Sequence, residues 1–203
     1  RFLYDSNRKM SVTGITDFGK LKKNYAAGSE LKGKNIGIIG FGRIGQSVGK
    51  IALGVGMKVV AYDPFIKEAA LDIEINGTKA VTVNIKTVEL EELLKQSDFI
   101  TLHVPGGSLI TKKEFAMMKK GVSLVNAARG GVINETDLID ALNDGTVAHA
   151  ALDVFNNEPT PAKEILSHPK ISLTPHIGAA TNEAQERIGV ELAEKIINYF
   201  NRK

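Results

Sequence analysis

The sequence predicts an α/β protein built on a doubly wound parallel sheet. From residue 35 onward, short runs rich in β-branched and apolar residues alternate with segments of helical period. The strand runs are apolar on both faces, as required in a parallel sheet that helices cover on both sides. A glycine-rich turn, GFGRIGQSVG, directly follows the first run. Such a turn at that place is typical of nucleotide-binding sheets of this class.

Each element follows from a stretch of the chain. The predicted strands are NIGIIG, MKVVAYD, DFITLHV, VSLVNA, AHAALDVF and ISLTPH. The predicted helices are RIGQSVGKIALGVG, VELEELLKQ, KEFAMMKK, ETDLIDALNDG and a long segment over 182–200. Residues 67–86 predict a short helix, a turn at Asn76-Gly77 and a weak strand.

Residues 1–34 differ from the rest of the chain. They have an apolar opening, glycine-containing turns and a lysine cluster, so residues 1–30 are predicted to be a packing or dimerisation arm. The whole chain, 1–203, is predicted to be one nucleotide-binding domain.

The composition excludes several classes of function. The 203 residues have the apolar and charged fractions of an ordinary soluble globular protein. The chain has no cysteine, which removes disulfides, cysteine-metal sites and thiol nucleophiles and favours a reducing compartment. No metal site is predicted. The longest apolar runs are too short to span a bilayer and no signal peptide opens the chain, so we expect a cytoplasmic protein with no membrane association.

The formal net charge of +3 raises the question of nucleic-acid binding. A cluster of lysines, formed by Lys20, Lys22 and Lys23, is typical of a solvated loop or of the solvated face of a helix. Elsewhere lysine and arginine alternate with aspartate and glutamate along the predicted helices. Nucleic-acid binding is therefore not predicted, and a mildly basic site for a small anionic substrate fits the same charge.

The glycine-rich turn has the pattern Gly40-x-Gly42-x-x-Gly45. In such a motif the first glycine makes the tight turn, the second lets a pyrophosphate approach the backbone, and the third lets the helix pack closely on the strand. The next strand ends at Asp63, 18 residues after Gly45, where a carboxylate accepts from a ribose and repels a 2′-phosphate. The pattern predicts NAD in preference to NADP.

Two alternatives to dinucleotide binding stay open at this point. The glycines can form a purely structural turn beside a surface aspartate. An S-adenosylmethionine-dependent methyltransferase also combines a glycine loop with an acidic strand end. Its loop usually lacks the third glycine, however, and nothing downstream resembles a site for a methyl acceptor.

Charged side chains follow three downstream strands: Arg129, Glu158 and His176. The carboxyl ends of parallel strands meet at one edge of the sheet, so topology brings these residues together. Histidine is the side chain whose ordinary pKa suits proton transfer near neutrality, and a neighbouring carboxylate stabilises the imidazolium. The planar guanidinium of arginine binds a carboxylate through two parallel hydrogen bonds and can polarise a carbonyl oxygen. The three residues predict hydride-transfer chemistry on a 2-hydroxy or 2-oxo acid.

Each of these residues also has an ordinary structural interpretation. Arg129 can form a surface ion pair in a turn, Glu158 can be a solvated loop residue, and His176 can be a satisfied core or surface histidine. Their joint occurrence at successive strand ends favours the catalytic interpretation.

Several longer motifs resemble those of the D-isomer-specific 2-hydroxyacid dehydrogenases. The matching stretches are ELKGKNIGIIGFGRIGQ, TLHVP, FAMMKKGVSLVNAARGGVINETDLIDAL, ALDVFNNEP and LTPHIGAATNEAQER, from Glu30 to Arg187. The resemblance implies that His176 is the acid/base, Glu158 its partner and Arg129 the residue that binds the substrate carboxylate.

The resemblance also implies a set of contacts with NAD. Besides the three glycines, Arg129 and His176, the implied positions are Arg43, Ile44, Asp63, His103, Val104, Pro105, Ala127, Asp153, Gly178 and Ala179. Asp153 would hold the nicotinamide carboxamide, although it can also cap local backbone at its strand end.

The activity implied is NAD-dependent oxidation of a D-2-hydroxy acid. Overall likeness favours 3-phosphoglycerate, a step of serine biosynthesis, while glyoxylate, hydroxypyruvate or another D-2-hydroxy acid stays open. So does an NAD-sensing binding protein like the transcriptional co-repressors that share this fold. Family members commonly dimerise through this domain, which implies a homodimer.

Two departures from the family pattern limit these implications. The loop after Pro105 is shorter than usual. The smaller lid domain that closes over the substrate in the family is expected to be absent from this chain.

Overall fold

The computed structural model describes residues 3–74 and 76–201, and a parallel sheet lies at the centre of the molecule. The strands in chain order are β1 (Asn35–Ile39), β2 (Lys58–Tyr62), β3 (Glu68–Ile73), β4 (Val81–Lys86), β5 (Phe99–Leu102), β6 (Val122–Asn126), β7 (Val147–Leu152) and β8 (Ile171–Leu173). The helices are α1 (Leu3–Asn24), α2 (Arg43–Gly54), α3 (Leu90–Gln96), α4 (Lys112–Phe115), α5 (Glu135–Asn143), α6 (Lys163–Ser167) and α7 (Asn182–Phe200).

The six-stranded sheet has the order β2-β1-β5-β6-β7-β8, and all neighbouring strands are parallel. Strand β1 pairs with β2 on one side and with β5 on the other, so the direction of the winding reverses beside β1. In doubly wound sheets the ligand crevice lies at this reversal, beyond the carboxyl ends of the strands. The predicted α/β fold of the Rossmann type is confirmed.

Both faces of the sheet are covered. Ile38 and Ile39 are neighbours in β1, and neither side chain is exposed to solvent. Because successive side chains of a strand point to opposite faces, both faces of β1 must pack against other elements. Ile38 packs with Phe41 and Leu71, whereas Ile39 belongs to the larger core beneath the other helices. The expectation of strands apolar on both faces is correct for β1.

The short helix predicted within residues 67–86 is wrong. The stretch Glu68–Ile73 is strand β3, which pairs antiparallel with β4 in a separate two-stranded sheet. Its alanine, glutamate and leucine residues have good helix propensity, but Leu71 is fully buried against Ile38 and Phe41, and this packing overrides the propensity. The predicted turn is confirmed, since Gly77 has a φ of +79°.

The amino-terminal segment is a 22-residue helix, α1, and not a series of turns. The turns predicted at Gly14 and Gly19 are wrong, because both residues lie inside the helix, whereas Gly33, with a φ of +78°, lies in a turn as predicted. A kink at Asp17 (φ −115°, ψ 15°) interrupts the helix. The first two residues of the predicted arm lie outside the described residues.

The carboxyl-terminal helix α7 spans the predicted residues, and none of them is buried. Its large exposed apolar side chains are Ile188, Val190, Leu192, Ile196, Ile197, Tyr199 and Phe200. In the part of the chain that the structure describes, no helix is long and apolar enough to cross a membrane.

Candidate active site

The turn between β1 and α2 is so tightly packed that two of its glycines leave no room for a side chain. Gly40 has a φ of +90°, and a Cβ on it would lie 2.4 Å from the carbonyl oxygen of His103. A Cβ on Gly45 would lie 2.1 Å from the carbonyl oxygen of Gly40. Gly42 differs, since nothing lies within 4 Å of the position of its Cβ. The loop therefore closes against protein at two glycines and faces open space at the third.

The first turn of α2 faces the same open space. Gly42 is the N-cap of the helix and offers no side-chain cap for the backbone N–H groups of the first turn. The first N–H groups of a helix have no partner within the helix, and together with the helix dipole they favour an anion. Arg43 and Ile44 begin the helix at this point, with exposed side chains. This arrangement fits the pyrophosphate of a dinucleotide.

Asp63, just after β2, organises the glycine loop. Its Oδ2 accepts from the backbone N–H of Phe41 at 2.8 Å, and its Oδ1 accepts from Phe65 and Ile66 at 2.8 and 3.0 Å. Burial would raise the pKa of Asp63, but these hydrogen bonds hold the pKa below its ordinary value. A carboxylate has about four acceptor positions, so Oδ2 retains one that a ribose hydroxyl can use.

The residues His103, Val104 and Pro105 follow β5, directly across from the glycine loop. The N–H of His103 donates to the carbonyl of Ile39 at 2.7 Å, and its ring Nε2 lies 3.0 Å from the hydroxyl of Thr101. Burial lowers the pKa of His103, so the ring is neutral at physiological pH. The structure thus places this segment at the reversal point of the sheet, where the sequence predicts cofactor contacts.

Arg129 follows β6 in a turn that its own side chain helps to close. Its Nη1 donates to the carbonyl oxygen of Ala128 at 2.6 Å. The buried amide of Asn126 donates to the carbonyl of Arg129 at 3.0 Å and accepts from the N–H of Ala128 at 3.1 Å. The turn also packs on the backbone after β7, because a Cβ on Gly130 would lie 1.9 Å from the carbonyl oxygen of Phe155.

Glu158 and His176 form a hydrogen-bonded pair between the segments that follow β7 and β8. The Nδ1 of His176 lies 2.7 Å from Oε2 of Glu158, and the backbone N–H of Phe155 donates to Oε1 at 2.9 Å. The bond from His176, and after it the bond from Phe155, lower the pKa of Glu158. An ionised carboxylate can only accept here, so in the neutral ring Nδ1 carries the proton and Nε2 is the acceptor. About half of the His176 side chain is exposed to solvent (52%).

The carboxylate of Asp153 holds the loop that carries His176. It accepts from the hydroxyl of Thr174 at 2.5 Å and from the N–H groups of Ile177 and Gly178 at 2.9 and 2.8 Å. His176 itself has a φ of +55°, in the left-handed region, and is the only non-glycine residue with a positive φ among the described residues. The backbone-capping interpretation of Asp153 therefore describes what its carboxylate does in this structure.

Asp153 can still contact a cofactor, because Oδ2 accepts from Gly178 alone and retains an acceptor position. The residues predicted to surround the nicotinamide lie close to Asp153. A Cβ on Gly178 would lie 3.0 Å from Asp153 and 4.0 Å from Cβ of Ala127, so these three positions are adjacent. Ala179 follows in the same exposed loop.

A cavity of about 460 Å³ opens beside the Glu158–His176 pair. Apart from the pair and Thr174, its lining is apolar: Phe155, Pro159, Pro161, Leu166, Leu173 and Pro175. The imidazole thus lies at the boundary between solvent and an apolar wall.

Sequence reasoning missed two residues that shape the site. Asn126 is a buried asparagine at a strand end, and asparagine is a frequent residue for closing a turn. That signal was available. Glu191 of α7 lies 3.2 and 3.4 Å from the guanidinium nitrogens of Arg43, although 148 residues separate them. No local signal predicts that contact.

Comparison with known proteins agrees with this geometry. The family described as "D-isomer specific 2-hydroxyacid dehydrogenase, NAD binding domain" matches residues 3–178. A hydroxypyruvate reductase of Thermotoga maritima is 47% identical over 186 residues, which cover 88% of this chain and 56% of the relative. A D-3-phosphoglycerate dehydrogenase of Bacillus subtilis is 42% identical over 176 residues, which cover 85% of this chain and 32% of that enzyme.

Solved structures share the fold. The NAD-dependent formate dehydrogenase from Staphylococcus aureus, in complex with NAD, has a TM-score of 0.76 at 31% identity and covers 98% of this chain. This chain covers 57% of that one. The chain therefore spans between about a third and just over half of the length of these relatives.

The match extends over most of the chain and includes both the glycine loop and the Glu158–His176 pair. NAD is the cofactor of the matching domain. The chain belongs to the D-isomer-specific 2-hydroxyacid dehydrogenase family, as its NAD-binding domain.

Proposed function

We propose that the protein oxidises a D-2-hydroxy acid with NAD, and reduces the corresponding 2-oxo acid in the reverse direction. The observation that carries the proposal is the Glu158–His176 hydrogen bond of 2.7 Å, at the edge of the sheet that also bears Arg129 and the glycine loop. A proton acceptor, a carboxylate-binding group and a nucleotide site then share one edge, as oxidation of a 2-hydroxy acid requires.

His176 transfers the proton in this proposal. The Glu158 bond occupies Nδ1, so Nε2 accepts the hydroxyl proton of the substrate, and the imidazolium that results faces a carboxylate that stabilises it. NAD, when bound, supplies the acceptor for the hydrogen that leaves the substrate carbon with its electron pair. In the reverse direction, His176 returns the proton to the carbonyl oxygen.

Arg129 binds the substrate carboxylate. Arginine has five N–H donors, and a bond from Nη1 to the carbonyl of Ala128 uses only one of them in this structure. The remaining donors are available for a paired interaction with a carboxylate. The exposed position of Arg129 at the carboxyl end of β6 allows that contact.

The preferred substrate in this proposal is 3-phosphoglycerate, which would place the protein in serine biosynthesis. The similarity to D-3-phosphoglycerate dehydrogenases supports this choice. The similarity to a hydroxypyruvate reductase and to a glyoxylate reductase supports hydroxypyruvate and glyoxylate as the alternatives.

The predicted positions of the cofactor contacts are part of the same proposal. The adenosine half of NAD would lie between Asp63 and the segment after β5, and its pyrophosphate would lie on Gly42, Arg43 and Ile44. The nicotinamide would lie beside Asp153, with Ala127, Gly178 and Ala179 around it. The open space at Gly42 and the free acceptor positions on the two aspartates support this placement.

We also propose a homodimer formed through this domain, in the cytoplasm, with residues 1–30 as the dimerisation arm. The helix α1 carries exposed apolar side chains that support an interface, with Val12 78% and Phe18 58% exposed. A separate lid domain would close over the substrate and exclude water from His176.

The proposal is tested in the full-length protein by replacing His176 with glutamine. Oxidation of D-3-phosphoglycerate should fall by about 10²-fold or more, the usual effect of removing a general base, while the affinity for NAD is unchanged. His168→Gln is the matched control, because His168 is a partly exposed histidine that contacts Asn143 and Lys170, outside the site.

If the wild type binds NAD but oxidises neither D-3-phosphoglycerate nor D-glycerate, and reduces neither hydroxypyruvate nor glyoxylate, the dehydrogenase proposal is wrong. The protein would then be an NAD-sensing binding protein. Equal losses in the two histidine variants would instead assign His176 a structural role.

A further inference from the structure

Asn126 is a buried polar residue that the proposed chemistry does not use. It is the last residue of β6, only 3% exposed, and three residues before Arg129. Both ends of its amide are occupied: Nδ2 donates to the carbonyl of Arg129 at 3.0 Å, and Oδ1 accepts from the N–H of Ala128 at 3.1 Å. One side chain thus ties together two peptide groups of the turn that carries the arginine.

We propose that Asn126 is a positioning residue for Arg129, which fixes the direction from which the guanidinium meets the substrate carboxylate. The inference rests on the proposed function of Arg129. Asn126 acts through the turn and does not touch the substrate.

The carbonyl of Ala128 connects the turn to the guanidinium. It accepts from Nη1 of Arg129 at 2.6 Å. In the chain, this carbonyl lies between the Ala128 N–H and the Arg129 carbonyl, the two groups that Asn126 holds. Because both flanking groups are held by Asn126, the only local movement left to this carbonyl is a rotation of its own peptide plane, which would also break its bond with Nη1 of Arg129. The orientation of the guanidinium therefore depends on the asparagine.

The other side of the turn is closed by backbone packing. A Cβ on Gly130 would lie 1.9 Å from the carbonyl oxygen of Phe155, so the turn already touches the segment after β7. The N–H of that same Phe155 donates to Glu158. The turn is thus held between Asn126 on one side and, on the other, the backbone that positions Glu158.

An asparagine is required because the site needs one donor and one acceptor. An aspartate has the same shape but only accepts when ionised, so it would oppose the carbonyl oxygen of Arg129. Alanine would leave both backbone groups without their partner. Asn126→Asp and Asn126→Ala should therefore raise the KM for the substrate to a similar extent, although the two side chains differ in volume.

The test is a double-mutant cycle in the full-length protein, with Asn126→Ala, Asn126→Asp and Arg129→Gln measured alone and combined. In the wild-type background, each Asn126 variant should lower kcat/KM for D-3-phosphoglycerate by roughly tenfold, mainly through KM, with NAD affinity unchanged. In the Arg129→Gln background the same variants should change kcat/KM by less than about twofold, since the group that they position is gone.

Ser97→Ala is the control for a purely structural effect. Ser97 is fully buried and donates to the carbonyl of Leu93 at 2.7 Å, just before β5 and so at the opposite end of the sheet. It should lower thermal stability without changing KM. If the Asn126 variants behave like this control, or lose as much activity with Arg129→Gln as without it, Asn126 is structural only and the inference is wrong.

The cycle separates this failure from a failure of the proposed function. If Arg129→Gln by itself leaves KM for D-3-phosphoglycerate, hydroxypyruvate and glyoxylate unchanged, Arg129 does not bind the substrate carboxylate, and both the role proposed for it and this inference fall. If Asn126→Ala does not fold, Asn126→Asp preserves the side-chain volume and decides the result.

Discussion

The glycine loop after β1 and the segments after β6, β7 and β8 lie at the same edge of one sheet, but they are built differently. The loop is a backbone site, in which Gly40 and Gly45 touch neighbouring carbonyl groups with no room for a side chain. The other half is a side-chain site, in which Arg129, Glu158 and His176 are held by hydrogen bonds and remain open to solvent.

The difference determines how each half responds to substitution. A backbone site is destabilised by a larger side chain, because the close packing leaves no space for the added atoms. A side-chain site is damaged by removed atoms, because each hydrogen bond positions a reacting group. In each half, an aspartate that follows a strand accepts hydrogen bonds from the backbone of the loop. Asp63 holds the glycine loop in this way, and Asp153 holds the loop that carries His176.

The largest effect is expected at Gly45. Gly45→Ala would place a Cβ 2.1 Å from the carbonyl oxygen of Gly40, so α2 must move away from β1. We expect a destabilisation at or above the upper end of the usual 1–3 kcal/mol for overpacking, measured by urea unfolding. Gly54→Ala is the control, since nothing lies within 4 Å of that position and alanine is favoured by about 0.5–1 kcal/mol in a helix. Equal stability of the two variants would show that the helix is not in close contact with the loop.

Gly42→Ala should affect binding and spare the fold. Its Cβ would enter open space, and its φ of −72° is accessible to alanine, so thermal stability should be unchanged. The methyl group would occupy the space of the pyrophosphate, and NAD affinity should fall by about tenfold or more, or about 1.4 kcal/mol. Calorimetric titration with NAD measures the effect. Unchanged affinity would mean that the pyrophosphate does not approach Gly42.

Asp153→Asn tests whether the ionised carboxylate of Asp153 holds the His176 loop, through the pH dependence of the stability. Burial would raise the pKa of Asp153, but its three hydrogen bonds hold the pKa below the ordinary value of 3.8. A carboxyl group with a lowered pKa contributes stability that is fully present above the ordinary value and is lost as the pH falls through the folded value. The variant should be less stable than the wild type by about 1–3 kcal/mol near neutrality, and the difference should shrink below the ordinary pKa.

Asp63→Asn should behave in the same way, because the pKa of Asp63 is also lowered after opposing effects of burial and hydrogen bonds. Urea unfolding as a function of pH measures both variants. If the deficit of either variant is constant as the pH falls below the ordinary pKa, the charge of that aspartate does not hold its loop.

The sequence predicted the glycine loop, the backbone half of the edge, more completely than the side-chain half formed by Arg129, Glu158 and His176. The glycine pattern, the strand before it and Asp63 are close in the chain, and each constrains the same turn. The topology argument also placed Arg129, Glu158 and His176 at one edge, because parallel strands end together. Asn126 escaped notice because an asparagine at a strand end has many local uses, and only the buried turn shows which groups it holds.

The errors occurred where packing outweighs local preference. The residues of β3 favour a helix by composition, but pairing with β4 and burial of Leu71 make them a strand. In α1, Gly14 and Gly19 suggested turns, whereas a glycine inside a helix costs only about 1 kcal/mol and the surrounding residues sustain the helix. Local signals therefore predicted the order of the parallel strands along the chain better than they predicted the elements at the periphery of the sheet.

The smallest expected effect is a change in NAD affinity at the contact between α7 and Arg43, the first residue of α2 after the glycine loop. Glu191 accepts from Lys195 at 2.8 Å and from the exposed guanidinium of Arg43 at 3.2 Å, and these two bonds lower the pKa of Glu191 to about 2. The carboxylate is therefore ionised at neutral pH and competes with a pyrophosphate for Arg43. Glu191→Gln should strengthen NAD binding by about two- to threefold, because exposed ion pairs contribute little, and added salt should reduce the gain.

Glu91→Gln removes a comparable exposed pair with Lys95 on α3 and should leave NAD affinity unchanged. Calorimetric titration of both variants at low and high salt measures the difference. Weaker binding in Glu191→Gln would show that the glutamate orients Arg43 toward the cofactor, so that the backbone half also depends on a side-chain contact. Tighter binding would show that the glycine loop binds the pyrophosphate without that contact and that α7 only opposes it.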